Sequence, residues 1–86
     1  MKTSKILFFY TEGCGYCKQL SPQIEEIQKL NFIKIEKILG SENKDLVAEY
    51  DVKYYPTMIF KEKVNKKLYK LVGKNKIENF IKNIKN

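Results

Sequence analysis

At 86 residues the chain has room for one domain with a single modest core, residues 1–86 as a unit, and none for a second. Its composition, 43% hydrophobic and 13% aromatic against 31% charged, is that of a globular chain rather than a disordered or membrane-spanning one. No run approaches the roughly 20 apolar residues of a membrane-spanning helix, and the net charge of +7 is carried by lysine without a single arginine.

That charge is unevenly placed. Residues 1–60 hold eight lysines and eight acids, whereas residues 61–86 hold nine lysines and two acids. A basic segment of this kind can attract an acidic partner, or it can be a solvated face. The bidentate base and phosphate contacts that arginine supplies are missing, so nucleic acid is not the expected partner.

In chain order, "KILFFY" (residues 5–10) is a short apolar run suited to a strand buried on both faces. Cys17, Leu20, Ile24 and Ile27 then recur at helical spacing between about Tyr16 and Leu30, among polar residues on the rest of the wheel. "FIKIEKI" alternates Ile33 and Ile35 with Lys34 and Glu36 as a strand does, and Gly40 with Ser41 ends it before a short helix over 42–50. "TMIFK" and "KKLYKLV" form a hairpin across a polar turn near Lys63 to Asn65, closed by Gly73. Asn75 and Glu78 read as a capping pair for a last helix carrying Ile77, Phe80, Ile81 and Ile84. The order β-α-β-α-β-β-α predicts an α/β fold with a mixed four-stranded sheet covered by three helices.

Both cysteines lie in "YTEGCGYCKQLSP", three positions apart where the first strand gives way to the long helix. Cys14 stands at the helix entrance, where unpaired N–H groups and the positive end of the helix dipole favour a thiolate. Cys17 is on the inward stripe. An exposed activated sulfur beside a shielded one suits thiol–disulfide exchange, with Cys14 attacking and Cys17 resolving. Gly13 and Gly15 leave the approach to Cys14 open. Structural zinc takes four Cys or His ligands, and two cysteines with no histidine need a second chain or an external thiol to complete the set. A structural clip over so short a loop removes only roughly 2 kcal/mol of unfolded-state freedom.

On these residues the chain resembles the thioredoxin superfamily. "FYTEGCGYCKQLSP" is similar to the family's active-site segment, "YDVKYYPT" to the segment with its cis-proline, and "KLVGKNKIENFI" to its closing strand, glycine and helix. The resemblance implies a thioredoxin-like fold, a redox-active Cys14–Cys17 disulfide with no other bound cofactor or metal, and a cis Tyr55–Pro56 bond beside the cysteines. It also implies a substrate surface of Gly13, Gly15, Tyr16, Tyr54, Tyr55, Pro56 and Gly73, with the backbone of Tyr55 offered to an extended substrate. One of the two tyrosines can instead simply be packed.

Several positions depart from the thioredoxin pattern. Phe8 stands where thioredoxins bury an aspartate, leaving Glu12 as the nearest carboxylate in sequence; Gly13 replaces a tryptophan, and Tyr16 a proline. A tyrosine at that place is glutaredoxin-like, yet "KLVGKNK" lacks the paired glycines and acid that glutaredoxins use for glutathione. Tyr16 also has the backbone N–H that proline lacks, here expected to donate toward the Cys14 sulfur.

The function expected is a thiol-disulfide oxidoreductase that reduces protein disulfides and is recycled by a thioredoxin-reductase-type enzyme. A glutathione-dependent enzyme is the alternative, and a thioredoxin-fold binding module in a larger assembly is the reading from another class. The apolar run "ILFFY" is shorter than the roughly 7–15 residues of a signal-peptide core, so the expected location is cytoplasmic, where permanent structural disulfides are rare. A monomer without membrane contact is expected.

Overall fold

A computed structural model of the chain describes residues 6–29, 34–61 and 67–85. Its elements are β1 (Ile6–Tyr10), α1 (Gly15–Gln28), β2 (Ile35–Leu39), a 3-10 turn (Gly40–Glu42), α2 (Lys44–Glu49), β3 (Thr57–Lys61), β4 (Leu68–Val72) and α3 (Lys74–Lys85). The expected Ile33 and the turn near Lys63 to Asn65 lie outside the described residues, as does the side chain of Ile84.

The four strands form one sheet in the order β2-β1-β3-β4. β1 pairs in parallel with β2, the two joined by α1, while β3 lies antiparallel to both β1 and β4. A strand flanked on both sides needs apolar residues toward both faces, and β1 supplies them alternately. Ile6 and Phe8 enter a cluster with Cys17, Leu20, Ile24 and Ile27 of α1 and Ile77 and Ile81 of α3. Phe9 points to the other face, against Ile38, Val52 and Ile59, with Leu46, Val47 and Tyr50 packed around them. Two helices therefore cover one face and α2 the other. Each of the large side chains wholly removed from water contributes about 1.5–3 kcal/mol of transfer free energy.

β2 is an edge strand, and its alternation places Ile35 toward α1 and Ile38 toward α2. Lys37, on the α1 side, reaches across to Ser21 Oγ at 2.8 Å and Glu25 Oε2 at 3.2 Å. At the other end of the fold, Phe60 stacks on both Tyr69 and Phe80 with ring centroids 5.0 and 4.9 Å apart, which ties the hairpin to α3.

The start of α3 differs from the sequence expectation. Asn75 is already inside the helix, which begins at Lys74. Gly73, at φ +95°, turns the chain directly from β4 into α3, a conformation that glycine adopts without steric cost, and its carbonyl accepts from Ile77 N at 3.3 Å. Glu78 makes a different set of contacts: Lys74 Nζ is 3.9 Å from its Oε2, and Gln23 of α1 donates to the same oxygen at 3.3 Å.

Candidate redox site

The site forms where β1 ends. A turn closes with Cys14 N donating to the Thr11 carbonyl at 3.3 Å, and Cys14 then takes the N-cap position of α1 with extended backbone angles. An N-cap side chain ordinarily accepts from the second or third residue of the helix. Here it is the third, Cys17, whose N–H donates to Cys14 Sγ at 3.1 Å. The donor at the sulfur is thus Cys17 and not Tyr16, which corrects the sequence expectation: the second and third helical N–H groups are both within a cap's usual reach, and the one directed at the sulfur is the third.

The two cysteines are joined by a disulfide, with Cα atoms 5.2 Å apart. Their surroundings differ. Cys14 is half-buried, whereas Cys17 is 4% exposed and packs on the inner stripe of α1. A Cβ built on Gly13 or Gly15 meets nothing within 4 Å, so the approach to Cys14 is open on both sides. Tyr16 projects outward, 57% exposed.

Two further segments converge on this turn. The Tyr55–Pro56 peptide bond is cis, and Pro56 is wholly buried. The Gly73 N–H donates to the Pro56 carbonyl at 2.9 Å, extending the β3–β4 pairing by one step and bringing the head of α3 beside the proline. Lys74, the next residue, lies over the Tyr16 ring with Nζ 5.6 Å from its centroid. Thr57, buried and polar, donates through its hydroxyl to the Tyr54 carbonyl and so holds the loop from within.

The paired tyrosines part company. Tyr54 is 68% exposed. The Tyr55 ring packs against both core clusters, and its hydroxyl end occupies the space beside Gly40. Its side chain is thus half-buried against the core, unlike that of Tyr54.

Beneath Cys17 a cleft of about 340 Å³ is lined by Phe8, Tyr10, Thr11, Glu12, Lys18 and Lys37 among others. Phe8 is 1% exposed there. Glu12 and Lys37 thus share a cleft with the buried sulfur, a juxtaposition that sequence spacing gives for Glu12 alone.

The family model for thioredoxin matches residues 1–86. The chain belongs to the thioredoxin family. Among curated relatives, it is 32% identical over 78 residues to Protein disulfide isomerase-like 2-2 of Oryza sativa subsp. japonica, covering 86% of this chain and 21% of that one. It is 32% identical over 57 residues to Thioredoxin-T of Drosophila melanogaster, covering 64% of this chain and 36% of that one. The thioredoxin-family chain therefore spans about a fifth to a third of the length of these relatives. Among solved structures, the oxidized form of mitochondrial thioredoxin 3 from Saccharomyces cerevisiae superposes with a TM-score of 0.74 at 24% identity, over 96% of this chain and 80% of that one, a likeness of fold. The pairing of Lys74 with Tyr16 is the feature of the site that the sequence did not give. Lys74 had a signal in its basic segment, but nothing in the sequence pairs it with Tyr16.

Proposed function

We propose that this thioredoxin-family chain reduces disulfides in proteins by dithiol exchange. In the reduced protein the Cys14 thiolate attacks one sulfur of the substrate disulfide, forms a mixed disulfide and expels the other substrate sulfur as a thiolate, which takes up a proton. Cys17 then gives up its proton and attacks Cys14 Sγ. The second substrate sulfur leaves, and the Cys14–Cys17 disulfide remains, so two electrons have passed from protein to substrate. A flavin- and NADPH-dependent reductase of the thioredoxin-reductase type returns them, in a reducing cytoplasmic setting.

The single observation that carries this reading is the asymmetry of the bonded pair: one sulfur capping a helix at an open surface, the other buried beneath it. A backbone N–H aimed at the outer sulfur favours its ionised form. The substrate is expected to lie along the backbone of Tyr55 beside Pro56, with Gly13, Gly15, Tyr16, Tyr54 and Gly73 around it.

The test is NADPH consumption with a protein disulfide, comparing thioredoxin reductase with glutathione plus glutathione reductase. Turnover with the first supports the reading. Turnover with the second alone overturns the choice of recycling partner in favour of a glutathione-dependent enzyme, and turnover with neither, together with no reduction by the dithiothreitol-reduced protein, overturns the function.

A further inference from the structure

The fold brings two residues of the basic last third, Gly73 and Lys74, to the redox site. The Gly73 N–H bonds to the Pro56 carbonyl at 2.9 Å, and the following Lys74 places its ammonium 5.6 Å from the centroid of Tyr16, the residue between the cysteines' helix entrance and Cys17. Exposed Lys53 and Lys70 border a groove of about 150 Å³ with Tyr54 and Val72. Asp51 is the carboxylate of that groove, but Lys70 Nζ donates to the Asp51 carbonyl at 2.7 Å, an uncharged acceptor.

From this placement we infer that the protein selects disulfides that have a carboxylate side chain close by, with Lys74 as the specificity-determining residue; the inference rests on the disulfide-reductase reading above. Lys74 Nζ is 3.9 Å from Glu78 Oε2, at the outer limit of an ion pair, and that oxygen also accepts from Gln23 Nε2. Its side chain remains 30% exposed. The cation over the Tyr16 face is held by a weak, exposed attraction, so it stays at the rim and can turn to an incoming carboxylate. Glu12, the acid nearest Cys14 in sequence, lines the cleft beneath Cys17 with Lys18 and Lys37. The occupant that fits is an extended peptide segment of a protein, its disulfide at Cys14 and an Asp or Glu side chain toward Lys74. Complementary charge acts chiefly on the encounter rate and on the choice among partners.

Three fluorescence-quenched cyclic disulfide peptides, identical except for Glu, Gln or Lys beside one cysteine, test this with the reduced full chain in single turnover. At low salt the expected order of second-order rate constants is Glu, Gln, Lys, each step about two- to fivefold, the scale of one exposed charge pair, and high salt should compress it. Lys74→Gln should flatten the order and Lys74→Glu reverse it. Lys82→Glu, which changes net charge as Lys74→Glu does from an exposed position two turns along α3, should preserve it and should react with the Gln peptide at a rate like that of the parent. An unchanged order in both Lys74 variants, or an equal shift in Lys82→Glu, overturns the inference alone. Failure of the parent to reduce any of the three peptides overturns the reductase reading and the inference together.

Discussion

The side chain of Tyr55 fills the space that a side chain at Gly40 would need. A Cβ on Gly40 would fall within 3.0 Å of the Oη, Cζ and Cε1 atoms of the ring. The ring is rigid and packs against both core clusters, so it cannot give way cheaply. Gly40→Ala should therefore destabilise the fold by about 1–3 kcal/mol, the range for overpacking, seen as a lower urea midpoint with an unchanged slope. In a Tyr55→Leu background the same substitution should cost less, since neighbours that share a clash are not additive. Equal costs in both backgrounds would mean that the ring is not what excludes the methyl group.

Phe8 offers a second test. It is 1% exposed and lines the cleft beneath Cys17. Phe8→Asp removes a core ring, a loss of about 3–5 kcal/mol on the scale of Phe→Ala, and buries a carboxyl group. Burial disfavours the ionised form, so the folded-state pKa of the new aspartate should rise above its unfolded value near 3.9. Between the two values the unfolded chain is ionised while the folded one keeps its proton, and stability relative to the parent falls as pH rises through that window. Urea midpoints for variant and parent from pH 4 to pH 8 check this. A pH-independent difference would place the carboxylate in water or in contact with Lys37.

Much of this architecture is legible in the sequence because its cause is local. The run Ile6–Tyr10 is apolar toward both faces and becomes an inner strand, and the spacing of Cys17, Leu20, Ile24 and Ile27 separates a buried sulfur from an open one. What is not legible depends on tertiary approach. Gly40 reads as a strand breaker, yet its place is fixed by a ring that arrives from the loop before β3. Lys74 reads as one more solvated lysine, and its approach to Tyr16 depends on the tertiary placement of α3, in which Gly73 bonds to Pro56 and Ile77 and Ile81 pack against α1. Asn75 carries a capping signal, but the left-handed turn at Gly73 begins the helix before it.

Tyr16→Pro separates the two roles of that position. The N–H at Cys14 Sγ belongs to Cys17, so the substitution should leave that bond in place while removing the ring beneath Lys74. Proline is tolerated in the first helical turn. The rate of alkylation of the reduced variant as a function of pH should report a Cys14 pKa like that of the parent, and the preference for the Glu peptide should weaken. A clear rise in that pKa would show that the Tyr16 N–H also acts on the sulfur.

The central claim is that Cys14 attacks and Cys17 resolves. Replacing Cys17 by Ser removes the resolving sulfur and should stall exchange at the mixed disulfide. Reduced Cys17→Ser protein, incubated with a disulfide-containing protein and analysed by peptide mass spectrometry without reductant, should carry the substrate on Cys14. Cys14→Ser should carry little, because Cys17 is 4% exposed. Substrate captured chiefly through Cys17 in the Cys14→Ser variant, with none on Cys14 in its counterpart, would contradict the assignment.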